Sequence, residues 1–168
     1  MKKIKIGING FGRIGRQLTK LILDNNNLEI VAINDLSDSK TSAHLFKFDT
    51  SYGLYEKEVD YNQNEIIINK NVINKISEKD PSRINWSDFE VDIVVESTGI
   101  FTKKNDALKH INGTVKKVII SAPATDEDIT VVLGVNEKSY DSSNHNIISN
   151  ASCTTNCVAP MIKVLNDN

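Results

Sequence analysis

Lys and Ile alternate over residues 3–9 before the chain runs into glycine, a two-residue period that predicts a short strand closing in a tight turn. From Arg13 the period lengthens. Ile14, Leu18, Leu21 and Ile22 fall at helical spacing as far as Asp24, and Asn25-Asn26-Asn27 breaks the helix. Residues 28–33 are apolar except for Glu29, the pattern of a strand covered on both faces, and Asn34-Asp35 ends it. Strand, turn, helix and strand make one βαβ unit. A short helix is expected over 43–48. Three β-rich runs follow, at 55–61, 65–69 and 72–77, read as an antiparallel excursion off the main sheet that Asp80-Pro81 closes. Strands are then expected at 91–95, 116–120, 130–133 and 146–149, with a helix over 103–111. Val158, Met161, Ile162 and Leu165 repeat at i, i+3, i+4 and i+7, predicting a closing helix over 152–165. The alternation of strands and helices indicates an α/β fold, a Rossmann-type doubly wound, mostly parallel sheet.

Composition narrows the function classes. The 168 residues carry 20 basic and 22 acidic side chains, 39% are hydrophobic, and no dense Lys/Arg cluster occurs. Neither nucleic acid nor an anionic membrane is expected as a partner. Met1-Lys2-Lys3-Ile4 imitates the basic start of a signal peptide, but Gly7, Asn9, Gly10 and Arg13 interrupt any apolar core. No run approaches the roughly 18 apolar residues of a membrane span. Cys153 and Cys157 are the two cysteines, too few for a disulfide framework, and their spacing is not that of a zinc site. A cytoplasmic setting without a bound metal is the expectation.

Gly10-Phe11-Gly12-Arg13-Ile14-Gly15 is a GxGxxG motif, weak alone but placed here between a predicted strand and a predicted helix. Asp35 follows at the tip of the next strand, 20 residues after Gly15. Gly10 permits the turn, Gly12 lets the backbone approach a pyrophosphate, and Gly15 lets the helix pack close to the strand. N–H groups at the helix start, those of Arg13 and Ile14 included, would face the phosphates. Asp35 would accept hydrogen bonds from the adenosine ribose. Its charge would also repel a 2′-phosphate by roughly 4 kcal/mol at 4 Å and an effective dielectric of 20, favouring NAD over NADP. Glycines serving helix packing alone, with Asp35 as a turn acid, are the structural alternative.

Cys153 lies where the last strand gives way to the last helix. A thiol at a helix N-terminus can be shifted toward thiolate, from about 3% at pH 7 for a pKa of 8.5 to about half for a pKa of 7. A nucleophile beside a hydride acceptor points to aldehyde oxidation through a thiohemiacetal and a thioester. By position alone an inert, buried thiol is equally open. Cys157, one turn on, reads as structural.

With both motifs the chain resembles the glyceraldehyde-3-phosphate dehydrogenase family along essentially its whole length. The resemblance rests on residues 8–16, Asn34-Asp35, Asp80-Pro81, Glu96-Ser97-Thr98-Gly99-Ile100-Phe101, Ser121-Ala122-Pro123 and Ser152-Cys153-Thr154-Thr155-Asn156-Cys157. It implies that Gly10, Phe11, Gly12, Arg13 and Ile14 hold the pyrophosphate region and Asp35 the ribose. Lys79 would lie near the adenine, and Thr98, Gly99, Phe101 and Ser121 would line the nicotinamide side. Cys153 would form the acyl-enzyme, with Ser152 and Thr154 beside it in the substrate site. The implied reaction oxidises and phosphorylates glyceraldehyde 3-phosphate with NAD and inorganic phosphate in glycolysis, in a homotetrameric parent.

The same resemblance divides the chain into a dinucleotide-binding domain at 1–151 and the start of a catalytic domain at 152–168. It places the family's general-base histidine beyond Asn168. His44, His110 and His145 match no catalytic motif of the family and are expected at the surface or in loops. The 168 residues alone are therefore expected to bind NAD weakly and turn over little. An erythrose-4-phosphate dehydrogenase shares these motifs, and a stand-alone NAD-binding module sensing cofactor or redox state through Cys153 is the alternative from a different class.

Overall fold

A computed structural model describes residues 2–168. The strands are β1 (Ile4–Asn9), β2 (Leu28–Asn34), β3 (Phe48–Asp49), β4 (Gly53–Leu54), β5 (Val59–Tyr61), β6 (Glu65–Ile68), β7 (Asn71–Ile76), β8 (Ile93–Glu96), β9 (Lys117–Ile120), β10 (Ile129–Thr130) and β11 (Ile147–Ser149). The helices are α1 (Arg13–Leu23), α2 (Ser39–Lys47), α3 (Lys104–Ala107) and α4 (Cys153–Asp167). Nine strands form one sheet in the order β10-β11-β9-β8-β1-β2-β7-β6-β5, and β3 pairs with β4 in a separate hairpin. Every pairing from β10 to β7 is parallel, whereas β7-β6-β5 is an antiparallel meander. From β1 the chain winds outward to β2 and β7 on one side and to β8, β9 and β11 on the other. The switch point between β1 and β8 opens the crevice where a doubly wound sheet binds its ligand.

Two apolar clusters cover the two faces of this sheet. Ile6, Ile8, Ile30, Ile33 and Val95 pack with Phe11, Ile22 and Phe46 on one face. Ala32, Val94, Val118, Ile120 and Ile147 pack with Trp86 and Val91 on the other. Ile30 and Ile33, three residues apart, share a face because the β1–β2 register slips by one residue opposite Gly7. Toward β9 and β11 the first face is left open. Ile119, Val131 and Ile148 line an apolar groove there with Leu133 and Tyr140.

Several elements depart from the sequence expectation for identifiable reasons. On α1 the inward face is Gly15, Thr19 and Ile22, while Ile14 and Leu21 are exposed. Thr19 can be buried because its hydroxyl donates to the Gly15 carbonyl, 2.8 Å away, so a polar residue joins Ile22 on the inward face in place of Ile14 and Leu21. Helix α2 begins at Ser39, four residues before the expected start, because Asp38 accepts the Thr41 N–H at 2.6 Å and caps it. The expected antiparallel excursion is the β7-β6-β5 meander, and it is joined to the main sheet by the parallel pairing of β7 with β2. The run expected at 130–133 is reduced to the two-residue edge strand β10, and Leu133 is exposed. Helix α4 forms, with Ser152 accepting the Thr155 N–H at 2.9 Å, but it buries none of its residues. Val158, Met161, Ile162 and Leu165 all face solvent. Among the described residues no helix is long and apolar enough to cross a membrane.

Candidate functional site

The carboxyl ends of β1, β2, β7 and β8 meet at a cleft of about 480 Å3. Gly10, Gly12, Asp35, Lys79, Thr98 and Phe101 line it, six of the residues singled out in the sequence. Gly10 turns the chain out of β1 with φ at +93°, a conformation that L side chains rarely adopt, and a Cβ there would lie 2.6 Å from the Thr98 nitrogen. A Cβ on Gly15 would meet the Gly10 carbonyl oxygen at 2.3 Å, so both positions are held to glycine by close backbone approach. Gly12 differs, since a Cβ there would meet no protein atom within 4 Å. Its space is open.

The N-terminus of α1 has Gly12 as its cap, no side chain capping it and no acidic residue in its first turn. Its leading N–H groups have no acceptor within the helix, so an anion is their natural partner. An open glycine, an uncapped helix start and a carboxylate at the next strand tip are the features a dinucleotide pyrophosphate and ribose require, and the residues present fit that group. Phe11 contributes through its backbone: its side chain is buried against Phe46, and its N–H donates to Asp35 at 2.8 Å.

Asp35 is half-buried. Burial acts to raise its carboxyl pKa, but the Ser37 hydroxyl and N–H, the Phe11 N–H and the nearby Lys75 charge outweigh it and hold the carboxyl below its ordinary value. It is a fixed anion at neutral pH. Arg13, Ile14, Gly99 and Ser121 lie outside the cleft lining. Ser121 follows β9 and donates its N–H to the Glu96 carbonyl at 3.0 Å, while Ser152, Cys153 and Thr154 follow β11 along the same sheet edge. Cys153 is the first residue of α4, and its thiol is exposed, as is that of Cys157. Ala151, two residues earlier, is buried with φ at +58°, a left-handed residue that turns β11 into α4.

A buried polar network beneath the cleft escaped the sequence reading. His110 is fully buried, contrary to the surface or loop position expected of it, and is anchored from two sides. Trp86 Nε1 donates to His110 Nδ1 at 3.1 Å, which leaves the ring proton on Nε2, where it donates to Glu96 Oε2 at 3.1 Å. The same Glu96 oxygen accepts from Asn9 Nδ2, and the other accepts from the Thr98 N–H at 2.8 Å and the Thr98 hydroxyl. Asn9 Oδ1 accepts from Asn34 Nδ2 at 2.7 Å, and the Asn34 amide pairs with the Glu78 backbone N–H and carbonyl. Asn9, Asn34 and Glu96 each put a polar residue at the last position of a strand, directly after a buried Ile or Val. That repeated polar ending was the available signal. His44 is exposed on α2, and His145 Nδ1 accepts the Asp141 N–H at 2.9 Å.

Residues 4–104 match the family model of the glyceraldehyde 3-phosphate dehydrogenase NAD-binding domain. The chain is 62% identical over 163 residues to glyceraldehyde-3-phosphate dehydrogenase 1 of Bacillus cereus, covering 97% of this chain and 49% of that protein. It is 54% identical over 164 residues to the glyceraldehyde-3-phosphate dehydrogenase of Geobacillus stearothermophilus, covering 98% and 49% respectively. The chain thus spans about half the length of the curated relatives it matches. With the cleft, the glycine turn and the strand-tip carboxylate in place, the chain belongs to the glyceraldehyde 3-phosphate dehydrogenase family, carries its NAD-binding domain, and has NAD as its cofactor.

Proposed function

We propose that this chain supplies the cofactor half and the cysteine nucleophile for the NAD-dependent oxidative phosphorylation of glyceraldehyde 3-phosphate. The observation that carries the reading is the placement of Cys153 at the start of α4, on the sheet edge that also bears the cleft. Residues 1–151 form the dinucleotide-binding domain in this account, and α4, which buries no residue against it, begins the catalytic part.

In binding, the N–H groups of Arg13 and Ile14 receive the pyrophosphate, Asp35 the adenosine ribose, and Lys79 borders the adenine. Thr98, Gly99, Phe101 and Ser121 border the nicotinamide. The Cys153 thiolate attacks the aldehyde carbon, forming a carbon–sulfur bond and a thiohemiacetal whose oxygen takes up a proton. NAD, when bound, would supply the acceptor for the hydride lost as that carbon becomes a thioester, and the hydroxyl proton leaves to a base or to solvent. Inorganic phosphate then displaces the Cys153 sulfur, releasing the acyl phosphate and restoring the thiolate. Ser152 and Thr154 flank the sulfur in the substrate site.

The chain's histidines do not supply the general base. His110 has both ring nitrogens engaged beneath the cleft, and neither His44 nor His145 lines it. Fusing residues 1–168 to the C-terminal half of the Bacillus cereus relative tests the proposal. The fusion is expected to reduce NAD when given glyceraldehyde 3-phosphate and phosphate, with Cys153→Ser lowering the rate by about a thousandfold or more. Lacking a positioned base, the unfused chain should run about 10² to 10⁴ times slower than the fusion. Full turnover by the Cys153→Ser fusion would contradict the assignment of the nucleophile.

A further inference from the structure

Lys75, whose charge helps lower the Asp35 carboxyl pKa, has no other assigned part in the cleft. It stands on β7 opposite Ile33 of β2, one strand from the turn that carries Asp35. Its Nζ donates to three backbone carbonyls: Asp35 at 2.5 Å, Ser37 at 2.8 Å and Ile76 at 3.0 Å. An ammonium has three N–H donors, and all three are spent on the backbone. The side chain is half-buried, so this is not a lysine that merely rests its head in water. Burial pulls its pKa below the ordinary lysine value, against the opposing pull of Asp35 and Asp38.

The three carbonyls converge on one point, and without a cation between them their dipoles would oppose one another. Asp35 is held on its other side as well. Its N–H donates to the Ile76 carbonyl at 3.1 Å, and its carboxylate accepts from Phe11 and Ser37. Lys75 grips the carbonyl of Asp35 while Phe11 and Ser37 grip its carboxylate, which leaves the acid little freedom to turn away from the cleft it lines.

We infer that Lys75 is a positioning residue for cofactor specificity: by binding the carbonyls of Asp35 and Ser37 it fixes the Asp35 carboxylate where it reads the 2′-hydroxyl of the adenosine ribose. The inference deepens the role given to Asp35 above and rests on it. A lysine with a merely structural role would, when replaced, weaken every ligand of the cleft alike. A positioning role changes the worth of one hydroxyl.

The test is calorimetric titration of the 168-residue chain with NAD and with NAD lacking the adenosine 2′-hydroxyl. The unmodified chain is expected to bind the deoxy analogue about tenfold more weakly, the worth of a hydrogen bond to a charged acceptor. In Lys75→Met that ratio should fall to about twofold or less, and in Lys75→Gln, which retains neutral N–H donors, it should be intermediate. Asp35→Ala tests the underlying reading separately, since a tenfold ratio that survives it removes Asp35 from ribose recognition whatever Lys75 does. If Asp35→Ala abolishes the ratio while Lys75→Met or Lys75→Gln keeps it whole, the inference is overturned. Should neither lysine variant fold, nitrogen-15 spectra of the unmodified chain decide. A slowly exchanging Lys75 ammonium signal that shifts with NAD and not with the deoxy analogue is expected, and its absence overturns the inference.

Discussion

Replacing Glu96 with alanine is expected to cost the domain about 3–5 kcal/mol, because it leaves several buried hydrogen-bond donors without their acceptor. Glu96 is 1% exposed, and donors from Thr98, Asn9 and His110 converge on its two oxygens. Each donor left without a partner carries a desolvation cost of about 1–3 kcal/mol. Against a typical domain stability of about 5–15 kcal/mol, the loss is a large share. Urea unfolding should show the midpoint falling with little change in slope. The network joins the ends of β1, β2 and β8 to the Thr98 and Glu78 backbones, so NAD affinity should fall with it. A change below about 1 kcal/mol would mean that water replaces the carboxylate without penalty.

Gly10→Ala and Gly12→Ala should separate folding from binding, though the two glycines stand two residues apart. At Gly10 the methyl group meets the Thr98 backbone at 2.6 Å, and the residue has φ at +93°. Left-handed strain costs about 1–2 kcal/mol, and overpacking about 1–3 kcal/mol more. At Gly12 φ is −72° and the methyl group meets nothing in the protein, so stability should stay within about 0.5 kcal/mol. It would instead occupy the space through which a pyrophosphate approaches the uncapped start of α1, and NAD affinity should fall by about tenfold or more. Thermal unfolding and NAD titration of both variants check this. A Gly12→Ala chain that binds NAD normally would move the pyrophosphate off α1.

The parts of this site that were legible in the sequence are those written in local pattern. The strand, glycine turn and helix of residues 4–23 and the acid at Asp35 are fixed by neighbours in the chain, and the structure places them accordingly. What stayed hidden depends on partners far apart in sequence. His110 carries no local mark of burial, since its partners Trp86 and Glu96 lie 24 and 14 residues away. Lys75 looks like any lysine on a polar strand until β7 pairs with β2 and brings Asp35 beside it. The parallel β2–β7 pairing itself was missed because Asn-rich turns mark only the antiparallel hairpins, and a crossover leaves no turn signature. On α4 periodicity identified an apolar stripe correctly, but period alone says nothing of whether a partner covers it, and here the stripe faces solvent.

The most direct test of the account is a side-by-side calorimetric titration of the 168-residue chain with NAD and NADP. The uncapped α1 start and the fixed anion at Asp35 predict saturable, one-to-one binding of NAD, with NADP at least about tenfold weaker because its 2′-phosphate meets the Asp35 carboxylate. Equal affinity for the two, or a preference for NADP, would contradict it.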